Sequence, residues 1–400
     1  MREFTLTNGI KTCVKQNINT PRVALTLNLL INEEEKFAGE YTMMNRLLLK
    51  GTTNYSSEEL AAILDENAIE LYTEMKYDYL RFRFTCLNED FEKALSVLSD
   101  IILNSTFEEF DKETEKLKGE LIAELDTAKV KISDLFTKTI YKNHLYGHSY
   151  TRILEDLDKI TKEDVVNSFK KILTTSKKTI VLAGDIEENG LLEKYLGILP
   201  ASTNNDSNIP QPEKLVKDYA EIIKNDANQA QIIQGWRVGT IKDDEYTTLM
   251  LLNIILGASG LSSRLFLELR EKKGLAYTVR TVYETHLKSA VFSIYIGTEP
   301  GNIQTSIDGF KEEIEKIKNI PVSEEELHNA KNNLIGKQQY LFETNTKQAN
   351  ILAYYSILGK DFDFRDSVLK RVKQITAKDI QDCANKYFTD DYVLAVIKPA

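Results

Sequence analysis

Apolar residues along this chain switch between two spacings, and each switch predicts an element. Phe4 and Leu6 stand before Thr7-Asn8-Gly9 and Ile10 after it, the pattern of two strands joined at an Asn-Gly turn. The run "RVALTLNLLIN" is strand-like, and "YLRFRFTCL" alternates strictly, setting Leu80, Phe82 and Phe84 on one side of a strand. Over 41–49 the period becomes helical. "SSEELAAILDENA" opens on a serine cap and an acidic first turn, with Leu60, Ile63 and Leu64 on one face. Further helices are predicted over 91–103, over about 108–128 and in the capped segment "ITKEDVVNSFKKIL". "KTIVLAGDI" is a strand ending in Gly-Asp.

The segment "PASTNNDSNIPQPEK" is poor in apolar residues and rich in Asn, Ser and Pro, which is how a solvated linker reads. This predicts an N-terminal domain over 1–200, a linker over 201–214 and a C-terminal domain over 215–400. Past the linker the order of elements restarts. At an offset of 205, Glu40, Tyr41 and Thr42 match Glu245, Tyr246 and Thr247, and Ser57, Leu60, Leu64, Tyr72 and Thr73 match Ser262, Leu265, Leu269, Tyr277 and Thr278. Leu121 and Ile122 match Leu334 and Ile335 at offset 213, and "ITKEDV" matches "ITAKDI" at offset 215. Three blocks in one order, drifting as loop insertions would make them drift, predict two copies of one α+β domain. Each would be a largely antiparallel sheet covered by helices on one face.

Composition narrows the function. With 42% hydrophobic and 28% charged residues, the chain has the make-up of a globular protein able to fill its cores. A net charge of -10 argues against gripping a phosphate backbone, because that affinity comes from many Lys and Arg contacts. Cys13, Cys86 and Cys383 are odd in number, far apart and without a Cys-x-x-Cys pair, so they read as reduced, buried thiols. The N-terminus has no unbroken apolar region and no stretch approaches about 18 apolar residues, which makes the cytoplasm the default location.

Two stretches carry a resemblance. "GASGLSSRLFLELREKKGLAYTV", followed by "FSIYIGT", closely resembles the C-terminal part of the pitrilysin/insulinase family of zinc metallopeptidases, which includes the mitochondrial processing peptidases and their bacterial two-subunit relatives. "GEYTMMNRLLLKGTTNYSSEEL" resembles the N-terminal domain of the same family. In active members the helix before Phe-Lys-Gly-Thr carries His-x-x-Glu-His, whose histidines ligate zinc while the glutamate activates water. Aligned on Lys50, Gly51 and Thr52, this chain has Thr42 and Arg46 at the histidine positions and Asn45 at the base. Threonine is a poor zinc ligand, arginine repels a cation, and an amide takes no proton from water. Glu124, 78 residues beyond Arg46, matches the family's third ligand, but its bland reading is a surface or ion-paired residue facing Arg46. "HLYGH" has His144 and His148 at i, i+4, yet Gly147 interrupts it and no base accompanies it, so loop packing is the better reading. His286 and His328 are isolated.

What the resemblance leaves intact is Arg270 and Tyr277, which match the arginine and tyrosine that reach toward the zinc site and hold substrate in this family. A phenol O–H and a guanidinium suit the charge that develops on an acyl oxygen. Gly257 and Gly260 match a glycine-rich loop bordering the substrate chamber, where substrate contact and simple loop flexibility both remain open. The resemblance therefore implies half of a clam-shell chamber: a non-zinc subunit that binds no metal of its own. Its homologous partner subunit would supply zinc and base for hydrolysis of unfolded peptides. The alternatives are a catalytically inert, core-protein-like scaffold, or an enzyme built on a Cys or Ser nucleophile. For the latter, no histidine lies close in sequence to Cys13 or Cys86.

Overall fold

Gly9, at φ +85°, closes the turn between β1 (Arg2–Thr5) and β2 (Lys11–Gln16), which pair antiparallel. The computed structural model describes residues 1–204, 206–225 and 227–399. Asn205, within the expected linker, and Asp226 and Ala400, within the expected C-terminal domain, lie outside the described residues.

Four more strands complete the first sheet: β3 (Arg22–Leu30), β4 (Glu70–Met75), β5 (Tyr79–Leu87) and β6 (Lys178–Gly184), in the order β1-β2-β6-β3-β5-β4. All pairs are antiparallel except β2 with β6. The second sheet holds β7 (Asp218–Ile223), β8 (Ala230–Val238), β9 (Ala276–Thr285), β10 (Ala290–Thr298) and β11 (Val393–Lys398), in the order β7-β11-β8-β10-β9. Its one parallel pair is β7 with β11. Matched strand for strand, the second order repeats the first without its edge hairpin strand, so the internal repeat in the sequence is a repeat of topology.

The chain divides into two compact units that do not follow its halves. Unit 1 is Met1–Glu120, Ile153–Ile209 and Tyr340–Phe364; unit 2 is Leu121–Arg152, Pro210–Gln339 and Arg365–Ala400. Each sheet thus takes one helix from the opposite half of the sequence. In unit 1 the helix Asn345–Ile357 lies on β3 and β6. Ala349 and Ala353, one turn apart, meet Ala24 and Ala183, and these small side chains let helix and sheet approach closely. Thr26 donates to Asn350 at 2.8 Å and the Asn345 amide donates to the Arg22 carbonyl at 2.7 Å. Covered on this face as well as by core helices on the other, β3 is buried from Val23 onward, its polar Thr26 and Asn28 included. The expectation of helices on one face only is corrected by this second cover.

Unit 2 has the same arrangement. The expected helix 108–128 is Phe110–Asp126; Thr127 breaks it at ψ 117°, and a new helix, Ala128–Ile140, lies on β8 and β11. Its Ile132, Phe136 and Ile140, four apart, are buried. Phe136 takes the space over Gly235, where a Cβ would come within 2.4 Å of the ring. Among the described residues no helix is long and apolar enough to cross a membrane.

Candidate functional site

The motif helix of unit 1 is Glu40–Leu47, followed by the Lys50-Gly51-Thr52 turn, in which Gly51 takes φ +116°. Glu40 is buried, and its carboxylate accepts from the Phe37 N–H at 2.9 Å and the Ser168 hydroxyl at 3.0 Å. Burial raises its pKa despite these two bonds. Thr42, Asn45 and Arg46 are half-buried, and the Asn45 Oδ1 is enclosed without a hydrogen-bond partner.

Arg46 makes the decisive contacts. Its Nε donates to Glu113 at 3.0 Å, and its two terminal nitrogens meet the Glu120 carboxylate at 2.8 and 3.2 Å. Lys50 reaches the same Glu113 at 2.8 Å and Glu109 at 3.3 Å. Burial alone would lower the Arg46 pKa, but hydrogen bonding and charge from Glu120 and Glu113 raise it. Burial likewise favours a neutral Glu113, and Lys50 with Arg46 outweighs it, holding the carboxyl below its ordinary value. A zinc ion does not fit here, because a permanent cation stands where a ligand should and takes up the nearby carboxylates. Glu124 is exposed, in line with the surface half of its bland reading, and the carboxylates that meet Arg46 are Glu113 and Glu120.

No histidine replaces the lost ligands. The His144 Nδ1 accepts from the Tyr146 N–H at 3.1 Å, so the proton sits on Nε2, which donates to the Pro210 carbonyl at 3.1 Å. His144 meets Tyr146 edge-on at 4.6 Å and His286 lies tilted against it at 4.5 Å, a packing role, and His328 is exposed beside Asn332. Among the described residues no group of three or more His, Cys, Asp or Glu is placed to hold a metal. The thiols of Cys13, Cys86 and Cys383 are buried, and burial pushes each up to about 12, which leaves no thiolate for nucleophilic work.

In unit 2 two π-helical turns, Ile254–Ala258 and Phe266–Lys272, flank the glycine-bearing loop. Such turns are uncommon and concentrate at functional sites. Gly257 is buried against β9, where a Cβ would stand 2.5 Å from the Thr281 nitrogen; Gly260 is exposed at φ +74°. Arg264 anchors the loop's far end through a bidentate pair with Glu326, both bonds 2.7 Å. Arg270 lies in the second turn and Tyr277 at the start of β9. The guanidinium carbon sits 4.9 Å from the Tyr277 ring centroid and 4.7 Å from that of Phe266. Tyr277 is 81% exposed. Among the described residues neither the guanidinium nor the phenol makes a hydrogen bond, and the nearest carboxylate, Glu271, is 3.9 Å from Arg270. The structure thus brings Arg270 and Tyr277 together with their donors unspent. Phe266, which sequence reasoning missed, was marked only by its i, i+4 spacing to Arg270; Glu113 and Glu120 carried no local signal at all.

These features define a duplicated α+β fold whose Glu40–Leu47 helix is held by ion pairs and carries no metal ligands. Comparison with known proteins gives the family. Residues 24–156 match the model of insulinase, peptidase family M16, and residues 159–334 match that of the peptidase M16 inactive domain; the chain belongs to peptidase family M16. It is 26% identical over 408 residues, 100% of its own length and 98% of the other's, to an uncharacterized zinc protease, YmxG, of Bacillus subtilis. It is 24% identical over 351 residues to a non-peptidase homolog, YmxG, of Helicobacter pylori, covering 84% of this chain and 79% of that one. A crystal structure of a peptidase M16 inactive domain from Pseudomonas fluorescens superposes with a TM-score of 0.87 at 20% identity, covering 100% of this chain and 98% of that one. A protease from Helicobacter pylori superposes with a TM-score of 0.88, also at 20% identity, covering 100% and 99%.

Proposed function

We propose that this chain is the non-zinc subunit of a two-subunit M16 peptidase. One observation carries the reading: the positions for zinc chemistry are given over to an internal Arg46 ion pair, while Arg270 and Tyr277 stand side by side with free donors. A group that donates to an oxygen gaining negative charge lowers the barrier to acyl hydrolysis. In this reading a homologous partner carries His-x-x-Glu-His with zinc, and the two subunits close a clam-shell chamber around an unfolded peptide. Main-chain hydrogen bonds at a sheet edge suit such a substrate. Arg270 and Tyr277 clamp the peptide and stabilise its acyl oxygen. The exposed Gly260 segment borders the substrate, and Gly257 supports that segment by close packing on β9.

The test is turnover of a fluorogenic peptide by the complex purified from native cells. Arg270→Ala and Tyr277→Phe each lower kcat by about 10². The name of the Helicobacter non-peptidase homolog favours the other reading, an inert scaffold or peptide-binding subunit. Both variants assembling and cleaving at the normal rate would decide for the scaffold.

A further inference from the structure

The Arg270 guanidinium lies against two aromatic rings, its central carbon 4.7 Å from the Phe266 centroid and 4.9 Å from that of Tyr277. Phe266 and Arg270 are four apart in one π-helical turn, which sets them on the same side. Gly274, at φ +61°, then reverses the chain, and the Leu275 N–H returns to the Leu269 carbonyl at 2.8 Å, bringing Tyr277 over the guanidinium. The two rings differ in firmness. Tyr277 is 81% exposed, whereas Phe266 is 7% exposed and fixed in the core. Its neighbour Leu269 is fully buried against Gly309, where a Cβ would approach within 2.3 Å, so the turn itself is locked from behind.

We propose that Phe266 is the positioning residue of this site. Its buried ring fixes the plane of the Arg270 guanidinium, so that the in-plane N–H edge meets an acyl oxygen of the bound peptide. A guanidinium stacked on an aromatic face keeps its donors in the plane, at right angles to the stacking direction. The inference rests on the reading that Arg270 acts on peptide, and it adds the residue that aims it.

Two measurements test it. In the native complex, Phe266→Leu lowers kcat about tenfold, the loss of a well-packed cation–π contact, with a smaller change in KM. Phe266→Tyr, which keeps the ring, restores kcat to within about twofold, and Phe266→Leu adds nothing further in an Arg270→Ala background. In the isolated full-length chain, ¹⁵N relaxation of the Arg270 Nε–H, assigned by its loss in Arg270→Lys, shows the side chain becoming mobile in Phe266→Leu and staying ordered in Phe266→Tyr. An equally ordered Nε–H in Phe266→Leu overturns the inference, as do losses that multiply in the double variant. If Arg270→Ala keeps full turnover, the peptidase reading falls, and the relaxation measurement still decides whether Phe266 orients Arg270.

Discussion

Arg46 ties the Glu40–Leu47 helix to carboxylates from a distant stretch of the chain. Its guanidinium bridges Glu113 and Glu120, so a covalent cation neutralises carboxylates gathered in the fold. Glu113 is the hub, since it also receives Lys50 and its side chain is 4% exposed. Glu113→Gln removes the carboxylate that Arg46 and Lys50 share, leaving each with one other partner, Glu120 or Glu109, and costs about 2–3 kcal/mol, read as a lowered Tm at pH 7. The folded carboxyl titrates below its unfolded value of about 4.3, so the stabilisation is complete above that pH and is lost as pH falls through the folded pKa. The gap in Tm between wild type and variant therefore closes only below about pH 4.

Lys178 on β6 presents the reverse case. It is 2% exposed, its Nζ donates to the Ser176 carbonyl at 3.1 Å, and burial pushes it down to about 8. The folded state binds this proton less well than the unfolded chain does, so the penalty is full below pH 8 and is relieved as pH rises toward the unfolded value near 10.5. Lys178→Met stabilises the protein by about 2 kcal/mol at pH 7, and the advantage shrinks between pH 8 and 10.5, measurable as urea midpoints across that range.

At the level of elements, the repeat can be tested cap against cap. Thr161 opens the helix Lys162–Thr175 and Thr376 opens Ala377–Tyr387, each in a capping box with Asp164 or Asp379. Thr161→Ala and Thr376→Ala each cost about 1 kcal/mol by denaturant unfolding, and the similarity of the two losses is the expected result. These caps were legible because a cap is a local event: Ser56 with Glu59, and both threonines with their aspartates, are complete within four residues. The strand carrying Leu80, Phe82 and Phe84 was legible for the same reason, as its period shows which face is buried. Arg46 was different. Glu113 and Glu120 lie 67 and 74 residues away, so no window of sequence holds both ends of the pair. The π-helical turns escaped because a segment of five or seven residues completes too few turns to display a period of its own. Arg270 and Tyr277 were found through the motif around them, and their contact with Phe266 through the structure alone.

At the scale of the molecule, the duplicated topology was readable from offsets in the sequence, but the crossing of a helix from each half into the opposite unit was not. Nothing in Ala349 or Ala353 names the sheet on which they settle. The functional reading also belongs to this scale. The isolated chain is expected to bind no stoichiometric zinc by metal analysis and to leave peptides intact. Addition of its partner restores hydrolysis that a chelator abolishes. Chelator-sensitive hydrolysis by the purified chain alone would sink the reading.

The helix borrowed by unit 1 also sets a timetable for biosynthesis. Strands β2, β3 and β6 are complete once residue 184 has been made, yet the face bearing Cys13, Ala24, Val181 and Ala183 has no cover until the segment through Ile357 leaves the ribosome. For that interval the nascent chain carries a bare apolar surface, the kind that chaperones engage, and a chain truncated after the linker would carry it permanently.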